Sequence, residues 1–210
     1  MSRLMSSSEP AGVARVTGDV ASRAPVRRHL SERQADTVAR LTDAAVEEVR
    51  GAGYEGLTVR NVARRAGVAP ATAYTYFASK DHLVAEVFWR RLQLQASPTP
   101  DRRRTPVARV TSAIAEIADV VTDEPELASA CTTSLLAGDP DVARLREQIG
   151  VEMSERLRVA LGDDGDAAVL DALSLALSGA MLQAGMGFFP HADLADRMAT
   201  VAGLVLGAPR

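Results

Sequence analysis

The sequence predicts an all-α chain: a three-helix unit built around a helix-turn-helix, followed by a larger helical unit. Three observations carry this. Apolar residues recur at spacings of three and four along most of the chain, the period of a helix face. The composition is 47% hydrophobic but only 4% aromatic, with Ala, Leu, Val and Arg prominent, a mixture that favours helices. Between Gly53 and Leu83 the chain reads as a helix, a tight turn at Gly67, a second short helix and the start of a third. That order is the layout of a helix-turn-helix, whose second helix enters a DNA major groove.

Residues 1–29 are rich in Ser, Ala, Arg, Gly and Pro and lack periodicity, so they read as a disordered extension. Arg3, Arg15, Arg23, Arg27 and Arg28 are scattered through or just beside it. Ser31 starts a long helix with Val38, Leu41, Ala45 and Val49 on one face, and Gly51 and Gly53 end it. Thr58 caps a helix beginning at Val59, with Val62, Ala63 and Ala66 inward and Arg60, Arg64 and Arg65 elsewhere. Gly67 falls where the helix must stop and reverse. Pro70 stands in the first turn of the next helix, where its missing N–H costs nothing, behind Ala69, a poor cap. Phe77 anchors the end of that helix. Ser79 caps the following one, and Asp81 in its first turn suits the helix dipole.

Cations and hydroxyls on two short helices are what a phosphate backbone and base edges require. Arg60, Thr72, Tyr74, Thr75, Tyr76 and Lys80 are the candidates. Tyr74 and Tyr76 lie on different sides of one helix, so both cannot be core.

The run Gly67-Val68-Ala69-Pro70-Ala71-Thr72-Ala73-Tyr74-Thr75-Tyr76-Phe77-Ala78-Ser79-Lys80-Asp81-His82-Leu83 resembles the signature of TetR/AcrR transcriptional regulators. The lead-in Gly53-Tyr54-Glu55-Gly56-Leu57-Thr58-Val59-Arg60 is similar to the approach to that family's second helix, and the resemblance covers about Gln34 to Phe88. Ala69, Ala71 and Ala73 depart from the usual Ser, Gly and Leu or Ile. The resemblance implies that Arg60 reaches a base, that Thr72, Tyr74 and Thr75 face the groove, and that Thr58, Tyr76 and Lys80 hold phosphates. Pro70 and Ala71 would offer apolar contacts, as to a thymine methyl. It also implies the division of labour: residues 1–29 an extension, 30–78 the DNA-binding domain, and 79–210 a ligand-binding and dimerisation domain.

The second unit begins with a connecting helix from Ser79 to about Leu94, with Val84, Val87, Phe88 and Leu92 inward and Trp89 the only tryptophan. Prolines and three consecutive arginines mark residues 95–106 as a loop. Four or five helices follow. Val107 to Val121 marks one, Leu127 to Leu135 a short one, and Val142 to Leu161 a long amphipathic one. Ala167 to Met186 is apolar nearly all round, which points to burial on most sides and, best, to burial between subunits. Asp171, Gln183 and the absence of a basic flank argue against a membrane span. Leu194, Met198, Val201 and Val205 mark a last helix. The resemblance implies that the final two helices pair with their mates in a homodimer, which calls for a palindromic operator on double-stranded DNA. A pocket formed by Trp89, Ile114, Ile117, Cys131, Leu135, Met153, Met181 and Phe188 would take a small apolar effector, since no charged cluster demands an ionic one.

Charge is uneven. Residues 27–91 carry eleven basic and eight acidic side chains, whereas residues 92–210 carry ten and seventeen, which suits DNA held at one end. The lone Cys131 excludes an internal disulfide or a thiolate metal cluster. His29, His82 and His191 lie in no catalytic arrangement, and no phosphate loop is present, so neither catalysis, a cofactor nor a metal is expected. His191 with Asp193 would at most be half a metal site. The first residues lack a signal-peptide core, so the expected compartment is the cytoplasm.

Overall fold

The structure, a computed structural model, describes residues 32–96, 99 and 101–207. The extension over residues 1–29 and the helix start at Ser31 lie outside the described residues. Nine α-helices and two single 3-10 turns make up the described fold: α1 Glu32–Gly56, α2 Val59–Arg65, α3 Pro70–Tyr76, α4 Lys80–Leu94, α5 Pro106–Ala118, α6 Pro125–Leu135, α7 Pro140–Leu161, α8 Ala167–Gly185 and α9 Leu194–Gly207. The 3-10 turns span Gly162–Asp164 and His191–Asp193.

α1 buries Val38, Leu41, Ala45 and Val49 on the face that their spacing marks out. Gly51 does not end it. The break comes at Gly53, whose φ of 67° leaves the helical region, and a further turn reaches Gly56. α4 buries Leu83, Val84, Val87, Phe88 and Leu92. It joins the reader to the rest, packing on α1 at one side and on α6 and α7 at the other. Fully burying a side chain such as Leu83 or Phe88 contributes about 1.5–3 kcal/mol. One continuous apolar core therefore runs from α1 to α9.

Polar bonds reinforce the junction between the two units. Glu124, which stands before the first residue of α6, accepts from Arg50 Nε of α1 at 3.0 Å and pairs with Arg91 of α4 at 2.7 Å. At the other end of α6, Ser79 donates to Asp139 at 2.6 Å. α6 is thus strapped to the reader near both of its ends.

Two buried arginines hold helix ends. Arg156 of α7, 3% exposed, donates to the carbonyls of Leu92, Gln95 and Ala96 at the end of α4 and pairs with Glu152. Arg109 of α5 donates to Ala160 and Leu161 at the end of α7 and pairs with Asp164. Helix ends leave orphan carbonyls, and a guanidinium with five N–H groups satisfies several at once.

α8 departs from its sequence pattern. In the single chain only Leu173, Leu177 and Ala184 are buried, while Leu175, Leu182 and Met186 lie exposed. It is long and apolar enough to cross a membrane, with a mean hydropathy of 1.5, yet it packs against α9, α7 and α6. Its last residue, Gly185, presses on α6, where an added Cβ would sit 2.5 Å from Thr132 Cβ.

Candidate nucleic-acid interface and internal cavity

The helix-turn-helix is built by local signals. Thr58 Oγ1 accepts from Asn61 N at 3.1 Å and caps α2. Gly67 adopts a φ of 64°, and the following Val68 turns inward. Ala69 offers no side-chain cap, and Pro70 takes the first position of α3. Ala73 and Phe77 are buried beneath α3. Ser79 Oγ accepts from His82 N at 3.0 Å and caps α4.

This packing leaves one face of α3 to solvent. Pro70, Ala71, Thr72, Tyr74 and Thr75 are exposed, with Tyr74 at 53%. The Thr75 hydroxyl donates back to Thr72 O at 2.6 Å, so its methyl and an oxygen lone pair remain for a partner. Tyr76 turns the other way and lies half-buried against the core, as the two tyrosines' opposite sides require. Thr58 and Arg60 are exposed on the approach side of α2.

Two cations behave differently from the sequence reading. Lys80 is half-buried: its Nζ donates to Tyr54 O at 3.1 Å and lies 4.0 Å from the Tyr54 ring centroid. Tyr54 OH in turn bonds Asp81, and burial, with that bond second, pushes the phenol up to about 12. Arg64, which sequence reasoning passed over as a contact, is exposed and without an ion-pair partner among the described residues, as is Arg60. The signal was available, because Arg60 and Arg64 are four residues apart and share a helix face. Arg65 is committed to Glu48 at 2.6 Å, and Arg40 donates to Ala66 O at the end of α2.

Below the reader, a cavity of about 370 Å³ opens between α4, α6, α7 and α8. Cys131, Leu135, Met153 and Met181 line it, together with Phe88, Ile149 and Ala128. The other four pocket candidates lie elsewhere. Ile114 and Ile117 are fully buried core of α5. Trp89 packs with Ala85, Val142 and Leu145. Phe188 is 71% exposed on a separate surface depression beside Phe189 and Pro190. Burial pushes the Cys131 thiol up to about 12, so it stays protonated at neutral pH. His191 also lines the cavity, and burial lowers its pKa below the ordinary value. Among the described residues no three metal-ligating side chains gather.

Comparison with known proteins bears on this architecture. The model of bacterial regulatory proteins of the tetR family matches residues 41–87. An uncharacterised HTH-type transcriptional regulator of Mycobacterium tuberculosis is 44% identical over 178 residues, covering 84% of this chain and 83% of its own. The HTH-type transcriptional repressor KstR of Rhodococcus jostii is 27% identical over 184 residues, covering 84% and 86%. The crystal structure of a TetR transcriptional regulator from Rhodococcus sp. RHA1 superposes with a TM-score of 0.67 over 86% of this chain and 100% of that one, at 22% identity. With its reader exposed on α3 and a relative this similar along most of its length, the chain belongs to the TetR family of transcriptional regulators.

Proposed function

We propose that the chain is a dimeric, sequence-specific repressor, released from a palindromic operator on double-stranded DNA by a small apolar effector in its C-terminal domain. Residues 30–78 read DNA and residues 79–210 sense and dimerise. The observation that carries the proposal is the exposed face of α3, flanked by the unpaired Arg60 and Arg64 of α2. Thr72, Tyr74 and Thr75 meet base edges, Pro70 and Ala71 give apolar contact, and Arg60 reaches a base beside them. Thr58, Arg64 and Lys80 hold phosphates, with Tyr76 at the margin. Such a protein works in the cytoplasm, beside the chromosome.

Dimerisation is supported by what one chain leaves uncovered. Leu175, Gly179, Leu182 and Met186 follow one stripe of α8 and are, apart from half-buried Gly179, exposed. Leu204 of α9 is 72% exposed. A Cβ at Gly179, Gly203 or Gly207 would meet nothing within 4 Å. A second copy of these helices covers the stripe, and the small residues admit close approach. Two reading helices then lie about 34–36 Å apart along the duplex.

Release is supported by where the cavity sits. Its walls include α4, which carries the reader, and α6, strapped to the reader through Glu124 and near the Ser79–Asp139 bond. An effector that prefers a wider separation of these helices shifts the population away from the DNA-matching state.

The test is fluorescence anisotropy of the full chain on its own upstream DNA and on scrambled DNA, at about 50 and 200 mM salt. Selective binding that survives the higher salt is expected. Unselective binding lost at the higher salt would overturn the reading.

A further inference from the structure

We propose that the cavity takes an amphipathic monocarboxylate, its apolar body between α6, α7 and α8 and its carboxylate on Arg146 at the mouth. The inference rests on the reading of this cavity as the effector site and names the effector's chemistry. α7 carries four arginines. Arg144, Arg156 and Arg158 are each paired with a carboxylate, Asp141, Glu152 and Glu155, within four residues. Arg146 is not. Its one hydrogen bond among the described residues runs to Ala137 O at 3.3 Å, which leaves most of its five-donor fork unused. Arg146 is exposed and lines the cavity, and no Asp or Glu is among the described lining residues.

The rest of the lining sets the body of the ligand. Cys131, Met153, Met181 and Ile149 are apolar. The two hydroxyls present are already committed: Thr132 donates to Ala128 O at 3.1 Å and Ser178 to Ser174 O at 2.9 Å. Neither has a proton left for a ligand, so a sugar or other polyol gains little here. A buried polar group without a partner would cost about 1–3 kcal/mol. Water fills about 30 Å³ per molecule, so 370 Å³ has room for roughly a dozen heavy atoms. His191, kept neutral by its burial, supplies an N–H and no second charge. One guanidinium therefore meets one anionic group. A bidentate guanidinium–carboxylate pair fits that geometry, whereas a thioester on a phosphorylated carrier would bring several charges to a single cation.

The experiment is calorimetric titration of the full chain with dodecanoate, 1-dodecanol and dodecanoyl-coenzyme A. The wild type is expected to bind dodecanoate at least about tenfold more tightly than 1-dodecanol, the worth of a charge-assisted hydrogen bond. Arg146→Gln is expected to erase that preference while leaving 1-dodecanol unchanged, the alcohol serving as the control for an intact cavity. Arg146→Lys should keep part of it, lacking the fork. Equal binding of acid and alcohol by the wild type, or an acid preference that survives Arg146→Gln, would overturn the carboxylate assignment and leave the apolar site standing. Stronger binding of the thioester would overturn the single charge. Binding of none of the three would overturn this inference and the effector site together.

Discussion

Ser79 and Asp139 cap two helices and each other. Ser79 accepts from His82 N to start α4, Asp139 accepts from Asp141 N to start α7, and Ser79 donates to Asp139 Oδ2 at 2.6 Å. Two helix starts, one carrying the reader and one walling the cavity, thus share a single hydroxyl.

This pair has a pH signature. The Ser79 hydrogen bond first, and the Asp141 N–H next, hold the Asp139 carboxyl below its ordinary value of 3.8. A depressed folded value means that its stabilisation is complete above the ordinary value and is lost as pH falls below it, through the folded value. Asp139→Asn removes the titration. Urea unfolding from about pH 2 to 6 is expected to show a flatter acid limb for the variant than for the wild type. Parallel limbs would mean that the pair carries no linkage.

Arg156 gives a larger effect. Arg156→Ala orphans three carbonyls at the end of α4 and leaves Glu152 unpaired. A loss of about 3 kcal/mol is expected, the scale of charged hydrogen bonds to a buried group. Arg156→Lys should fall between, because an ammonium cannot span the same fork. Chemical denaturation measures the loss, and amide exchange should rise first around Leu92–Gln95.

The uncovered stripe of α8 predicts an assembly defect without a folding defect. Leu175 is 67% exposed in the single chain, so Leu175→Glu should leave the monomer's melting behaviour nearly intact. It should shift sedimentation from dimer to monomer and weaken operator binding. A dimer that persists in Leu175→Glu and in Leu204→Glu would place the interface elsewhere.

Arg60 and Lys80 separate two kinds of contact. Arg60→Ala is expected to cost about 1–3 kcal/mol in operator binding and to relax base preference. Lys80→Ala should weaken all sequences alike and lower the salt slope. Because Lys80 also bonds Tyr54 O, that variant should melt earlier as well. Equal loss of base preference in both would reverse the assigned roles.

The reader was legible because its signals are local. Thr58, Gly67, Pro70 and Ser79 each act within a few residues of themselves, and the structure finds each in the conformation its chemistry requires. The second unit was legible as helices but not as a site. Which faces of α4, α6, α7 and α8 meet is decided by packing across long separations, so Ile114 and Ile117, indistinguishable in pattern from Leu135 and Met153, fall in solid core instead of the cavity. Arg109 and Arg156 escaped notice for a similar reason: in sequence they look like solvated charges, and only the arrival of another helix's end buries them. Phe188 illustrates the reverse, an aromatic whose sequence neighbours suggest burial and whose place in the single chain is 71% exposed.

The break of α1 at Gly53 has a chemical consequence. It turns the Tyr54 carbonyl and ring toward the start of α4, where Lys80 settles on both. Lys80 is also the only lysine in the chain. The protein therefore carries a single ε-amine, at the seam where the reader meets its stalk. An amine-reactive ester will modify one side chain, and the speed of that acylation becomes a one-site clock for how often the seam opens.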